Sequence, residues 1–489
     1  MSALTDARLT LLRRRLERTE TVPLATAGAV ADTAPAATVP PAAFGDLGVA
    51  ERRMWKIYEL DPKSVSHNIG LVLEFGGART VESVVAAAEL LVEKFEVLRS
   101  IVEVDADGIP HRTKVTREGR WNPEHTVWTW GFEPTEAQSG GAADVDSVAT
   151  ELTRRPFDLF TETPLRLRVS GCDGRVTMIL VVHHLAVDDT SWPPLLGTLI
   201  SGDWPGDAGL DSRPADPGET TASSAAEAAV RHALDTWGAE GIRYPISGEL
   251  PAESPADSWL SPMDDREGVK VSAPVANDSL TALQRTAAAV GATGNALLIA
   301  ICSLATHALT GSEDHVLVVP ADNRNRSQSP ERIGYCGNII PMRFRVDPNA
   351  SVAQALRDAG SVIYQAMEHS GTDFGPILTA IRQAGGRFPV MEIMASVRPA
   401  PLRGIPQPAD APVTCRSVFN GIANYPLSIA FEADEHATHI EVDHQPGVVP
   451  DAIAERATAV LTGLVDLVPQ SLHSTVSELV AGLERRGRG

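Results

Sequence analysis

The sequence predicts an α+β protein built as two lobes, and three observations lead there. Strand-like and helix-like stretches are mixed through two halves of similar size. Residues 203–224, rich in Pro, Gly and Asp and poor in apolar residues, read as the linker between those halves. The chain has 489 residues, 43% of them hydrophobic, enough for a large core and for roughly two to four domain-sized units.

In order along the chain, residues 4–20 read as a short helix. Leu9, Leu12 and Leu16 form its stripe, Asp6 is a plausible cap, and five arginines lie around the other face. This is either a solvated leader or a docking helix for an acidic partner. Residues 22–43, rich in Ala, Pro and Thr, read as a flexible linker. The division is therefore 1–43 for helix and linker, 44–224 for a first lobe and 225–489 for a second. In the first lobe a helix is expected over 49–60, then the alternating strand "NIGLVLEFGG". A second helix follows over 80–98, with Val84, Ala88, Leu91, Phe95 and Leu98 at helical spacing. Strands follow through "LRSIVEVD" and over 175–182. The second lobe repeats the theme with helices near 279–290 and 294–308, a strand "HVLVVP" and a helix after Ser351.

Charge and cysteines narrow the function. Lys plus Arg number 42 against 63 Asp plus Glu, a net charge of -21, which disfavours nucleic acid and anionic membranes as partners. Cys172, Cys302, Cys336 and Cys415 stand far apart, so no zinc knot is expected and reduced thiols are the default. No window approaches the roughly eighteen uninterrupted apolar residues of a membrane span, and no secretion signal opens the chain. A cytoplasmic protein is predicted.

The chemistry concentrates where the run "RVTMILVV" ends in "HHLAVDDTSW", residues 183–192. A strand that ends on a histidine can hold an imidazole rigidly at a crevice, and neutral imidazole is the usual general base near pH 7. Asp188, four residues beyond His184, could orient it or brace the loop through an arginine. A core histidine pair is the competing reading of the dipeptide alone. Ser191 can cap the next helix, and Pro193 suits its first turn. His184 and Asp188 lack a third ligand nearby, so no metal is expected.

"HHLAVDD" resembles the HHxxxDG signature of the condensation domains of nonribosomal peptide synthetases, relatives of chloramphenicol acetyltransferase. Further motifs follow in family order over about 47–430. "LGVAERRMWKIYELDPKSVSHNIGLVLEF" resembles "LSxAQxRLWFLxxLdpxSxxYNi", with Gly48 for Ser and Glu51 for Gln. "KFEVLRSIVEVDADGIPHR" resembles "RHExLRTxFxxxdGxPxQ", with Phe95 for His. "TGNALLIAICSLATHALTGSEDHVLVVPADNRNR" resembles the approach to the second lobe's central strand. "IGYCGNIIPMR" resembles "IGxFVNTLPLR" and keeps Asn338, and "HSGTDFGPI" echoes "HQDxPFExl". Asp189 replaces the signature Gly. The "SW" of "DDTSWPPLL" looks like epimerisation domains, but "PADNRNR" stands where those carry an "EGHGR"-like stretch, so their glutamate base is missing.

The resemblance implies two acetyltransferase-like lobes in a V with a tunnel between them. It implies that His184 faces the tunnel and assists an acceptor attacking a carrier-bound thioester, as base or as positioning group. His183 would support it, and Asp188 would pair with Arg324, or else Arg326, from the second lobe. Asp189, Ser191 and Asn338 are tunnel candidates, with helix capping as the other role of Asp189 and backbone capping as the other role of Asn338. Trp192 would pack on the first lobe, and Tyr335 and Met342 would be core. No metal and no cofactor of its own is implied; phosphopantetheine would arrive on a peptidyl or acyl carrier protein bearing the donor. The acceptor would be a small-molecule or carrier-bound nucleophile, amide and ester products both staying open, and the enzyme a monomer. A catalytically silent relative that recruits other proteins is the competing class; Gly48, Glu51, Phe95 and Asp189 favour it, and the intact HHxxxD opposes it.

Overall fold

The computed structural model describes residues 45–77, 79–114, 142–172, 174–203, 228–232, 236, 267–322, 333–372, 377, 392–408, 411–434 and 437–486. The leader helix over 4–20, the 22–43 linker, nearly all of the 203–224 stretch, and Arg324 with Arg326 lie outside them.

In the first half, α1 (Val49–Leu60) leads into β1 (Asn68–Phe75) and α2 (Val81–Lys94). The hairpin β2 (Ser100–Val104) and β3 (Pro110–Lys114) follows, then α3 (Ala142–Thr153), β4 (Leu165–Cys172), β5 (Arg175–His183) and α4 (Trp192–Ser201). The second half runs β6 (Val269–Val275), α5 (Asn277–Val290), α6 (Gly294–Thr310), β7 (Asp314–Asp322), β8 (Gly337–Arg345) and α7 (Val352–Glu368). It continues with β9 (Ile393–Arg398), β10 (Val413–Val418), β11 (Leu427–Ala433), β12 (Thr438–His444), α8 (Asp451–Leu467) and α9 (Val476–Arg486). The helix expected over 80–98 stops earlier. Phe95 takes an extended backbone (φ −104°, ψ 94°), and a 3-10 turn over Glu96–Arg99 carries Leu98 into the core before β2 begins.

The first sheet has the order β10-β1-β5-β4, all antiparallel. Side chains alternate across a strand, and both faces of β5 are covered, which explains its continuous apolar run. Met178, Leu180 and Val182 point toward α2 and α4, packing with Leu91 and Leu196. Ile179 and Val181 point the other way, toward Met54, Trp55 and Tyr58 of α1. Burial of each such side chain contributes roughly 1.5–3 kcal/mol. Gly70 of β1 permits the close approach of α3: a Cβ there would stand 2.3 Å from Thr153 Oγ1.

The second sheet has the order β6-β12-β11-β9-β7-β8 and is parallel only at β11/β9 and β7/β9. One face carries Leu317, Ile393, Ile429, Phe431, Ile440 and Val442 into a core with α6 and α8. The register places Arg398 beside Glu432, and Asp443 beside Lys270, on the opposite, polar face. Both α6 and α7 start on side-chain caps: Thr293 accepts from Ala296 N–H and Ser351 from Gln354 N–H. No single helix among the described residues is long and apolar enough to cross a membrane.

Candidate active site

The parity of β5 sends His183 to the α1 side, 3% exposed, with Tyr58 and Phe157 presenting their rings edge-on at 5.8 and 5.9 Å. Its Nδ1 accepts the Leu185 N–H at 3.1 Å, so the neutral ring carries its proton on Nε2. Burial, then the neighbouring His67 and His184, hold its pKa well below the usual histidine value.

His184 leaves the strand at the turn and stays partly exposed. Its backbone N–H donates to His67 O at 2.8 Å, and the Ala186 N–H closes the turn on His183 O. The imidazole Nδ1 stands 2.6 Å from Val187 O. A carbonyl can only accept, so Nδ1 carries the proton and Nε2 presents a lone pair. Nε2 makes no hydrogen bond among the described residues. Tyr335 packs against the core around Trp55 and Leu185, as expected, and its ring also meets His184 in a T-shaped contact at 4.9 Å; Met342 is core, 1% exposed.

The HHxxxD loop is fastened to the "IGYCGN" segment of the second half. Asp188 is 6% exposed; its Oδ2 accepts the Cys336 N–H at 2.9 Å and its Oδ1 lies 3.1 Å from Ser191 Oγ. Ser191 is fully buried and its Oγ accepts from the Asp188 and Gly334 N–H groups. The side-chain cap foreseen for α4 is therefore absent, because that hydroxyl is committed to the loop, and a sealed Ser191 does not line an open channel. Thr190 Oγ1 donates to Asp322 Oδ2 at 2.6 Å, a third tie between the halves.

Asn338, 3% exposed, takes the second of the two roles open to it, holding backbone groups. Its amide donates to Ser370 O and Thr372 O, and its Oδ1 accepts from Arg53 Nη1 and from Ile339 N–H. All four hydrogen-bonding positions of the amide are used. Arg53 of α1 also donates to Gly337 O, which makes it a bridge that sequence reasoning missed. Tyr425, beside Tyr335 and Arg53, has its phenol pKa raised by burial.

Asp189 is exposed and opens the 3-10 turn over Asp189–Ser191. Its charge reaches Arg398 on the polar face of the second sheet, where Glu432 is the 3.0 Å partner. Glu432 also accepts from Ser417 Oγ of β10. Lys270 donates to Glu441 and lies 3.9 Å from Asp443. Burial raises the pKa of both Glu441 and Asp443.

His67 is the other residue that sequence reasoning missed. Its ring centre is 6.4 Å from His184 and 6.2 Å from His183. The signal was available, since His67 occupies the Tyr position of "SxxYNi". Burial, then the neighbouring His184, lowers its pKa to about 3.

A family model described as "Condensation domain" matches residues 47–202 and 246–481. Phosphinothricin tripeptide synthetase PhsC of Streptomyces viridochromogenes is 26% identical over 345 residues, covering 69% of this chain and 31% of that protein. AMB antimetabolite synthetase AmbB of Pseudomonas aeruginosa is 27% identical over 353 residues, covering 71% of this chain and 27% of that one. The chain thus spans less than a third of the length of either relative. Among solved structures, the first condensation domain of the CDA synthetase superposes with a TM-score of 0.71 at 19% identity, over 89% of this chain and 98% of that one. The X-domain solved with OxyB from teicoplanin biosynthesis gives 0.64 at 16% identity, over 92% and 99%. With a family model matching most of its length, this chain belongs to the condensation-domain family.

Proposed function

We propose that this chain is an acyltransferase that joins a carrier-bound acyl or aminoacyl thioester to an amine or alcohol acceptor. The observation that carries this reading is the His184–Val187 hydrogen bond, which leaves the Nε2 lone pair on a partly exposed ring where the two halves meet. In the proposed reaction Nε2 accepts the acceptor's proton as its N or O attacks the thioester carbonyl carbon. The new C–N or C–O bond forms, the C–S bond breaks, and the imidazolium returns the proton to the departing thiolate. The phosphopantetheine arm belongs to the carrier and enters as part of the substrate.

His183 supports by packing, and Asp188 holds the loop against the second half, with Arg324 as its proposed ionic partner. Two of the four substitutions that suggested a silent relative, Phe95 and Glu51, have structural roles of their own. Phe95 is core, 2% exposed. Glu51 accepts from Gly48 N–H at the start of α1 and pairs with buried Arg112 at 2.9 Å.

The test is mass spectrometry of a donor-loaded carrier protein incubated with the chain and a panel of amines, alcohols and aminoacyl carriers. A new covalent product that is lost in His184→Ala supports the reading. Tight carrier binding with no product from any pair overturns it in favour of a recruiter.

A further inference from the structure

The described part of the site holds two partly exposed imidazoles, and they are prepared in opposite protonation patterns. His184 has Nδ1 on the Val187 carbonyl and Nε2 unprotonated. His67 has its Nδ1 2.9 Å from Ser66 Oγ. With Ser64 Oγ donating to Ser66 Oγ at 2.8 Å, the Ser66 proton is free to go to His67 Nδ1. The remaining proton of a neutral His67 then sits on Nε2. That N–H meets no acceptor among the described residues, and the ring is partly exposed. The position is rigid: Asn68 pairs with His183 in the β1/β5 register, and His67 O holds the His184 N–H at 2.8 Å. The motif Tyr that His67 replaces is likewise a flat ring ending in one donor.

We propose that His67 is a second substrate-facing group of this site, a neutral Nε2–H donor for the oxygen that gains charge when the thioester carbonyl is attacked. The inference rests on the acyl-transfer reading above. His184 then handles the proton and His67 the developing charge, from adjacent strand ends. A donor placed before the reaction needs no reorganisation, and loss of one such donor costs about 100–1000-fold in turnover. Burial beside His184 keeps His67 uncharged, so the donor survives at mildly acidic pH.

Three variants separate charge stabilisation from packing. His67→Phe keeps a ring without the N–H, whereas His67→Gln and His67→Tyr restore a donor. With a donor–acceptor pair identified by the mass-spectrometric screen, His67→Phe is expected to lower kcat by about 100-fold with KM within about threefold. At least one restoring variant should regain about tenfold. Wild-type kcat in His67→Phe overturns the proposal, as does an equal loss in all three that follows their melting temperatures. His184→Ala in parallel separates the two ideas, because wild-type turnover there removes the base role of His184 and leaves the His67 comparison standing. A readout free of turnover is 15N-histidine NMR of the whole chain. Neutral, Nε2-protonated His67 at pH 7 and 6 is the expected state. An Nδ1-protonated or charged ring overturns the proposal whatever the substrate.

Discussion

Arg112 Nη2 lies 2.9 Å from Glu51 Oε1, with the two side chains 3% and 4% exposed, and the same nitrogen donates to Leu185 O at 3.0 Å. One buried cation therefore ties α1 to the residue that follows His184. Removing either partner leaves an uncompensated buried charge, at a cost of about 3–5 kcal/mol. Glu51→Ala and Arg112→Ala should each lose that much in urea unfolding. The double variant should lose less than the sum. Additive losses would show that the two side chains are not coupled.

His184→Ala should fold with nearly unchanged stability and lose turnover by at least about 100-fold, the effect of removing a positioned acid–base group. His183→Ala should instead act mainly through stability, because it empties a space between Tyr58 and Phe157. Equal turnover in His184→Ala and wild type would remove the base role.

Asp188→Asn should weaken the seam, since an amide oxygen with an NH2 beside it cannot replace both carboxylate acceptors of the Cys336 N–H and Ser191 Oγ. Asp188→Ala should cost about 3–5 kcal/mol if Arg324 is its buried ionic partner. A double-mutant cycle with Arg324→Ala checks that pairing, and additivity redirects the search to Arg326.

Acid should unfold this chain earlier than its carboxylates alone require. Burial depresses the pKa of His67 to about 3, of His315 to about 4, and of His183 strongly. A depressed pKa gives stability that is present above the unfolded value, near 6.5, and is lost as pH falls toward the folded one. Below pH 6.5 each of the three therefore removes up to about 1.4 kcal/mol per pH unit. Urea midpoints at pH 7, 6 and 5 measure the slope, and His183→Leu should reduce it by one histidine's share.

Glu441 and Asp443 have the opposite sign. Their raised pKa values mean a contribution that is present below the unfolded carboxylate range and lost as pH rises through the folded values. Glu441→Gln, which keeps an acceptor for Lys270, should raise the melting temperature at pH 7 by about 2 °C. The gain should vanish near pH 4. Calorimetry at both pH values decides, and a gain that is equal at both would place its origin elsewhere.

Much of the fold was legible in residue spacing, because helices and strands with one or two apolar faces announce their periods. Helix α6 and strand β5 are clear examples. The site was less legible, for physical reasons. Ser191 and Asn338 have polar side chains that suit a channel, yet each is engaged by backbone groups far away in sequence, Gly334 for Ser191 and Ser370 and Thr372 for Asn338. Tyr335 does pack against the core, but its contact with the His184 ring, from a distant part of the chain, has no local signal. His67 reads as a motif variation until the β1/β5 register sets it beside the signature pair. Long-range pairings of this kind leave no local period.

Strand β10 carries a consequence for biosynthesis. The edge of β1 that it covers, from Gly70 to Phe75, pairs with residues 413–418. As the ribosome delivers the chain from its N-terminus, that edge must wait for more than three hundred further residues before its partner emerges. Until then a row of unpaired amides beside Leu71 and Leu73 is open to strand addition by any neighbour. A fragment cut between the halves would keep that open edge permanently. Attempts to express the first half alone should therefore yield aggregates, which co-expression of the second half would rescue.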